Sequence, residues 1–271
     1  MPLAYDRSGR GPLLVLLHGL GHHRHAWDPL LPTLTKMRDV VTVDLPGHGE
    51  SLPLPPGTVP DLRALLDAVL QFFAEHGLDR PHVAGSSLGG RLALELAREG
   101  HVRSATALAP AGFWKNDLEY AYTRLMLRGI HQIGKTLRPV APAITRSVLG
   151  RSLAFASVRG YPWRLPPQQA LHDARALQAC AHFHAMLANG TAYKPGPQPD
   201  PPVPITIAWG TRDLILPYRQ ARRAQAILPR ARHERLPHCG HVPILDAPRR
   251  ITTILLEGSH EDTPDDQHDR Q

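Results

Sequence analysis

The chain has 271 residues, a formal net charge of +7 and a hydrophobic fraction of 42%. That length suits one α/β domain with an insertion, and the apolar content suffices for a sizeable core. Lys and Arg are scattered rather than massed, which argues against a nucleic-acid-binding arm, and two cysteines, Cys180 and Cys239, do not make a disulfide framework.

The first apolar run, Leu13 to Leu17, lacks alternation, as in a strand buried on both faces of a parallel sheet. It is too short for a signal-peptide core or a membrane span, so a cytoplasmic location without integral membrane association is expected. Leu30, Leu31, Leu34 and Met37 suggest a helix ending near Lys36, and Val40 to Val43 a second buried strand. From Val59 to His76, apolar residues recur at spacings of three and four, the face of an amphipathic helix, with Asp61 in its first turn and Gly77 as its cap. Pro81 to Ala84 reads as a strand, Leu88 to Arg98 as a helix and Val102 to Leu108 as a strand.

The alternation stops after Gly112. From Trp114 to Asp200 the pattern is helical, broken by Pro139, Pro142, Pro162, Pro166 and Pro167, and 197–204 form a stiff proline-rich connector. Alternation resumes with a strand at Val203 to Trp209, a helix at Tyr218 to Ile227, a strand at Ala231 to Leu236 and a helix at Pro248 to Leu256. The expectation is an α/β core over 1–112 and 201–256, a helical cap over 113–200, and a disordered tail over 257–271 with six acidic residues and one Arg.

Gly85-Ser86-Ser87-Leu88-Gly89 matches G-x-S-x-G between a strand and a helix. Such a turn holds its middle residue in a strained conformation and leaves room only for small neighbours two positions away. Ser87 is therefore the candidate nucleophile, and Ser86 the rejected one. An acyl-transfer intermediate needs two N–H groups for its oxyanion. Leu88, following the nucleophile, supplies one, and Leu20, in the His18-Gly19-Leu20-Gly21 loop after the first buried strand, supplies the other. Asp213 follows the strand ending at Trp209, and His241 follows the last strand. Both fall at the C-terminal edge of a parallel sheet, where chemistry gathers. His241 is the candidate general base, with His238 as its rival, and Asp213 the carboxylate that orients it.

LLHGLG at 16–21, Trp27, DLPGHGES at 44–51, GSSLGG at 85–90, WGTRD at 209–213 and HCGH at 238–241 together resemble the α/β-hydrolase superfamily, in its lid-bearing esterase and C–C-hydrolase-like branch. The resemblance implies a mostly parallel central sheet flanked by helices, with the insertion as a cap over Ser87. It implies that 44–49 is a structural turn in which His48 is not the base. Only about a dozen residues precede Leu13, where relatives often carry an extra edge hairpin, so the sheet is expected to start one strand late.

No cofactor fingerprint is present: G-x-G-x-x-G and GK[ST] are absent. His18, His22, His23 and His25 lack the partners of a zinc motif and are read as solvent-facing loop residues, with no metal expected. Trp114 to Asp200 holds eleven Lys/Arg against four Asp/Glu. That is either a solvated helical face or a basic roof for an anionic substrate or surface. Phe113, Trp114, Met126 and Trp163 are the expected pocket lining, with Tyr120 and Tyr122 nearby. The expected activity is hydrolysis of a carboxylic ester or related acyl compound, a small-molecule substrate, by an acyl-enzyme mechanism. C–C bond hydrolysis or perhydrolase chemistry on the same triad and a non-catalytic binding role are the alternatives. Oligomeric state has no signature in the sequence.

Overall fold

The computed structural model describes residues 2–194 and 203–260. Seven strands form one sheet: β1 (Tyr5–Gly9), β2 (Leu13–Leu17), β3 (Asp39–Val43), β4 (His82–Ser86), β5 (Ser104–Leu108), β6 (Ile205–Gly210) and β7 (Arg232–Leu236). Their spatial order is β1-β3-β2-β4-β5-β6-β7, with only the β1–β3 pair antiparallel. The central strands are buried along nearly their whole length, as unalternated LLVLL and SATAL require.

The sheet does not start late. The sequence YDRSG forms the antiparallel edge strand β1, paired from Tyr5 with Val43 to Gly9 with Asp39. It escaped notice because all five residues are exposed, so it carries no apolar signal.

The helices flanking the sheet are α1 (Leu31–Leu34), α2 (Leu62–Glu75) and α3 (Leu88–Arg98). α1 is a single short turn of helix, ending before Lys36. α2 starts later than the periodicity suggested because Asp61 is its N-cap, accepting a hydrogen bond from Ala64 N–H at 2.9 Å. Its apolar face, Leu65, Leu66, Val69, Phe72 and Phe73, joins the larger core cluster on one side of the sheet.

Between β5 and β6 comes a helical cap insertion of α4 (Asp117–Leu137), α5 (Ala141–Arg146), α6 (Val148–Ala154), α7 (Pro167–Ala179) and α8 (Phe183–Ala188). α4 is capped by Asn116, which accepts from Glu119 N–H. Prolines at the first turns of α5 and α7 fit where their missing N–H has no intrahelical role. The proline-rich connector falls mostly outside the described residues. α9 (Arg219–Ile227) and α10 (Pro248–Gly258) complete the chain. α10 runs two residues past Leu256, and the Ser259 hydroxyl that follows is buried and accepts from Arg38 Nε at 2.8 Å. The rest of the expected tail, from 261, lies outside the described residues.

Candidate active site

β4 ends at Ser86 and α3 begins at Leu88, so Ser87 alone makes the turn. Its φ of 54° and ψ of −109° are costly for a residue with a Cβ. The turn is locked from both sides. Ser87 N–H donates to Leu108 O at 2.8 Å, and Ser87 O accepts from Ala111 N–H at 3.1 Å. A Cβ at Gly85 would lie 2.1 Å from Gly89 O, and one at Gly89 would lie 2.2 Å from Leu17 O. Glycine is needed at both places because backbone meets backbone there.

The loop after β2 comes directly against this serine. A Cβ built on Gly19 would sit 3.3 Å from Ser87 Cβ and 3.9 Å from Ser87 Oγ. Leu20 and Leu88 both line the smaller of two cavities that meet at Ser87. Leu88 N–H, at the first turn of α3, is one of the amides for which a helix supplies no acceptor.

Asp213 and His241 are brought together across the tips of β6 and β7. His241 Nδ1 lies 2.8 Å from Asp213 Oδ2, and both side chains are nearly fully buried. The other carboxylate oxygen accepts from Ile215 N–H at 2.9 Å and Leu216 N–H at 2.8 Å. The acid is thereby fixed in one rotamer, and Nδ1 carries the proton toward it, leaving Nε2 as the acceptor. His241 and Ser87 line the same larger cavity. The rival His238 is exposed, with a φ of 62°. A carboxylate absent from the sequence reading steadies the His241 loop: Asp246 accepts from Gly240 N–H at 2.8 Å, Gly160 N–H at 2.7 Å and Tyr161 N–H at 3.0 Å. One side chain so ties that loop to the cap.

His18 and His48 are buried and serve the turn at 44–49. His18 Nδ1 donates to Gly19 O and Nε2 accepts from Leu45 N–H at 3.0 Å. His48 Nδ1 donates to Pro46 O at 3.0 Å, and its Nε2 faces the buried Cys180 thiol at 3.2 Å. Burial pushes His18 well below its ordinary value and His48 down to about 4, so both are neutral near pH 7.

The reading of the histidine cluster as solvent-facing is corrected. His23 is buried, and the His22 side chain is only 17% exposed. Asp173 of α7 covers them: its carboxylate lies 3.1 Å from His23 Nε2 and 3.5 Å from His22 Nε2, and it accepts from Arg159 Nη2 at 2.9 Å. Burial opposes the charge of Asp173, but His22, His23 and Arg159 hold its pKa far below the usual carboxylate range. The three groups nearest in space, His22, His23 and Asp173, have the atoms to hold a metal ion. Arg159 already neutralises that carboxylate, so an added cation there would face a like charge.

Of the expected lining residues, Trp114 lines the smaller cavity, of about 80 Å3, and stacks on Tyr120. Phe113, Met126 and Trp163 line neither of these two cavities. Phe113 is buried against Tyr193 and Trp209, Met126 packs on the core, and Trp163 is 49% exposed. The larger cavity, of about 330 Å3, is walled instead by cap aliphatics such as Leu127, Ile130, Ile144 and Leu177, with Val242 and Ile244 from the histidine loop. No local signal marks these residues, since four separate segments converge only on folding.

A mostly parallel sheet, a strained serine turn at its centre and a helical cap between β5 and β6 define a cap-bearing α/β-hydrolase fold. The chain belongs to the alpha/beta hydrolase family, which matches residues 14–253. It is similar to a pimeloyl-[acyl-carrier protein] methyl ester esterase of Nitrosomonas europaea, 28% identical over 92% of this chain and 96% of that protein. Among solved structures it is similar to a membrane phospholipase A described as a bacterial virulence factor (TM-score 0.75, 27% identity, covering 95% of this chain and 83% of that one). A meta-cleavage product hydrolase from Pseudomonas fluorescens IP01 shares the fold at 17% identity (TM-score 0.71, covering 94% of this chain and 93% of that one). No described helix is long and apolar enough to cross a membrane.

Proposed function

We propose that the protein is a serine hydrolase of carboxylic esters, with Ser87 as nucleophile, His241 as general base and Asp213 as the group that orients it. The observation that carries this reading is the strained Ser87 turn opening into the same cavity as a buried His241–Asp213 pair. His241 Nε2 takes the Ser87 hydroxyl proton as Oγ adds to the ester carbonyl. Asp213 holds the resulting imidazolium in place. Leu20 and Leu88 N–H groups hold the oxyanion. The tetrahedral adduct collapses to an acyl-Ser87 ester, and His241 returns its proton to the departing alcohol. Water, deprotonated by His241, then adds to the acyl carbon and releases the acid, restoring Ser87. Each group acts twice, and no cofactor is required by this balance.

The two cavities meeting at Ser87 give the ester a long and a short arm. The larger, with mostly apolar walls, suits a long aliphatic chain, and the smaller limits the other arm. The helices α4 to α8 act as the lid over both cavities, and excluding water there strengthens the oxyanion contacts. Similarity to an esterase of acyl-carrier methyl esters and to a phospholipase A supports ester cleavage over carbon–carbon cleavage.

The test is labelling by a fluorophosphonate, read by peptide mass, beside turnover of a panel of esters varied in both arms. Label on Ser87, lost in Ser87→Ala, is expected, with turnover of esters exceeding that of vinylogous diketones. Label on Ser86, or C–C cleavage exceeding ester cleavage, would overturn the reading.

A further inference from the structure

The larger cavity has an opening that the ester reading does not use. Ile133, Leu137 and Leu153 line this cavity and yet are 61%, 38% and 73% exposed. Side chains that do both stand at its mouth. They belong to the end of α4 and the end of α6, so the mouth is formed by cap helices.

Exposed aliphatic side chains recur in the helices that form that mouth, interleaved with polar and basic ones. Leu125, Ile133 and Leu137 fall on one stripe of α4 at spacings of eight and four, and Leu125 is 72% exposed. Val140 follows three residues on, and Leu149 lies one turn before Leu153 on α6. Val140, Val148 and Leu149 are all at least half exposed. Isolated surface leucines need no account, but Ile133, Leu137 and Leu153 at the mouth of a substrate-sized cavity, with Val140, Val148 and Leu149 within a few residues of them in the chain, do.

The charge of the same segment is one-sided. Between Glu119 and Asp173 there is no acidic residue, while Arg124, Arg128, Lys135, Arg138 and Arg146 fall among the apolar positions. Arg128, Lys135, Arg138 and Arg146 are exposed. Long basic side chains beside exposed aliphatics can lay their stems on the apolar surface and carry their charge outward to phosphate. A second copy of this chain is a poor occupant, since a two-fold contact would set this cationic face against itself. An acidic protein would satisfy the charge but not the bare aliphatic rim.

We propose that this cap face, with Val140, Val148 and Leu149 near in the chain to the mouth formed by Ile133, Leu137 and Leu153, docks on an anionic lipid surface, so that esters bearing a long apolar chain enter the cavity from the lipid. What happens after docking rests on the ester reading above; docking itself does not. The lipid need not be crossed by any part of the chain. Basic side chains draw the face down, the aliphatic rim enters the headgroup boundary, and a chain moves from one apolar medium to another without passing through water.

Docking is read with full-length Ser87→Ala protein and vesicles of phosphatidylcholine alone or with 30% phosphatidylglycerol, by flotation. The protein should float at least tenfold more on the anionic vesicles, and 0.5 M salt should remove most of that excess. Val148→Asp/Leu149→Asp, residues outside the cavity wall, should cut flotation at least tenfold. In the background retaining Ser87, the same pair should leave kcat/KM on a dissolved short-chain ester within twofold and lower turnover of vesicle-borne esters at least tenfold. Circular dichroism and short-ester turnover confirm that the double variant folds. Equal flotation on neutral and anionic vesicles, or none on either, would overturn the proposal. So would a dimer in sedimentation that Val148→Asp/Leu149→Asp splits, or capture by an immobilised acidic carrier protein in place of vesicles. Because Ser87→Ala carries no chemistry, these outcomes are independent of whether fluorophosphonate labels Ser87.

Discussion

Gly89 in the first turn of α3 and Gly129 in the middle of α4 are both helical glycines, and they stand in opposite surroundings. A Cβ on Gly89 would meet Leu17 O at 2.2 Å, whereas one on Gly129 would meet nothing within 4 Å. The sheet edge around Ser87 is backbone packed on backbone, with side chains excluded so that two loops and a helix can share one point. Open space is confined to the turn of α4 at Gly129, since elsewhere in the cap a Cβ on Gly150 would lie 2.2 Å from Ile144 O and one on Gly160 1.9 Å from His238 O. Close packing at the first place fixes the Ser87 turn, whereas the second leaves α4 free of neighbours at that point.

The largest effect expected from this contrast is at the serine itself. Ser87→Ala should lower kcat/KM on a good ester by about 10^4-fold or more, leaving Tm within a few degrees of wild type. Ser87→Gly should be as inactive but more stable than Ser87→Ala by ~1 kcal/mol, because glycine adopts a φ of 54° without strain. Thermal melts of the two variants check this; equal stability would mean the turn is not strained. Next, Gly89→Ala should fold poorly or not at all, since its methyl must displace the backbone of β2. Expression of soluble Gly89→Ala with normal activity would show that the edge is softer than its packing suggests.

That edge was the legible part of the molecule. The buried runs at β2, β3 and β5, and the Gly-Ser-Ser-Leu-Gly turn, are local patterns whose physical reasons act within a few residues. The positions of Asp213 and His241 follow from where a parallel sheet ends. β1 was illegible because an exposed edge strand needs no apolar residue. The cavity wall was illegible for a different reason. Phe113, Trp114 and Trp163 look like pocket residues because they are large and aromatic, but of the three only Trp114 lines either cavity; which side chains do so is decided by how α4 to α7 pack on one another. His22 and His23 were misjudged on the same ground: their cover, Asp173 and Arg159, lies more than a hundred residues away.

An intermediate effect comes from the buried histidines under the loop. His48 has a folded pKa of about 4 against an ordinary 6.5, because burial disfavours its charged form. The unfolded chain therefore binds the extra proton first as pH falls. Stability from neutral His48 is full above about pH 6.5 and is lost as pH drops toward 4, by about 2 kcal/mol between pH 7 and 5. His18, shifted the same way, adds to the loss. Asp173 works in the window below: its lowered pKa contributes stability that is lost only as pH falls beneath the ordinary carboxylate value of about 3.9. Urea midpoints at pH 7 and pH 5 should differ more for wild type than for His48→Gln. Equal differences would mean that His48 is hydrated in solution and that the turn at 44–49 is looser than the sheet edge it supports.

The smallest effect probes the cap and sharpens the comparison most. Gly129→Ala should stabilise α4. Gly129 lies mid-helix, its φ is not in the left-handed region, and a methyl there meets open space. Alanine gains in helix propensity and removes freedom from the unfolded chain, together about 0.5–1 kcal/mol. If the cap and the sheet unfold as one unit, Tm should rise by about 1–4 °C. If the cap opens separately, Tm should stay put while hydrogen exchange slows in α4 alone. Either outcome reports how far the rigidity of the sheet edge extends into the lid. Gly129 sits on the exposed stripe between Leu125 and Ile133, so the same variant also tests whether the cavity mouth must move. Unchanged kcat on short and long esters would mean the mouth is already open. A fall confined to long-chain esters, in a protein that is more stable, would mean that α4 has to bend for the chain to enter, with Gly129 as the place where it bends. A fall in Tm would contradict the open space around Gly129 and remove the contrast with Gly89 altogether.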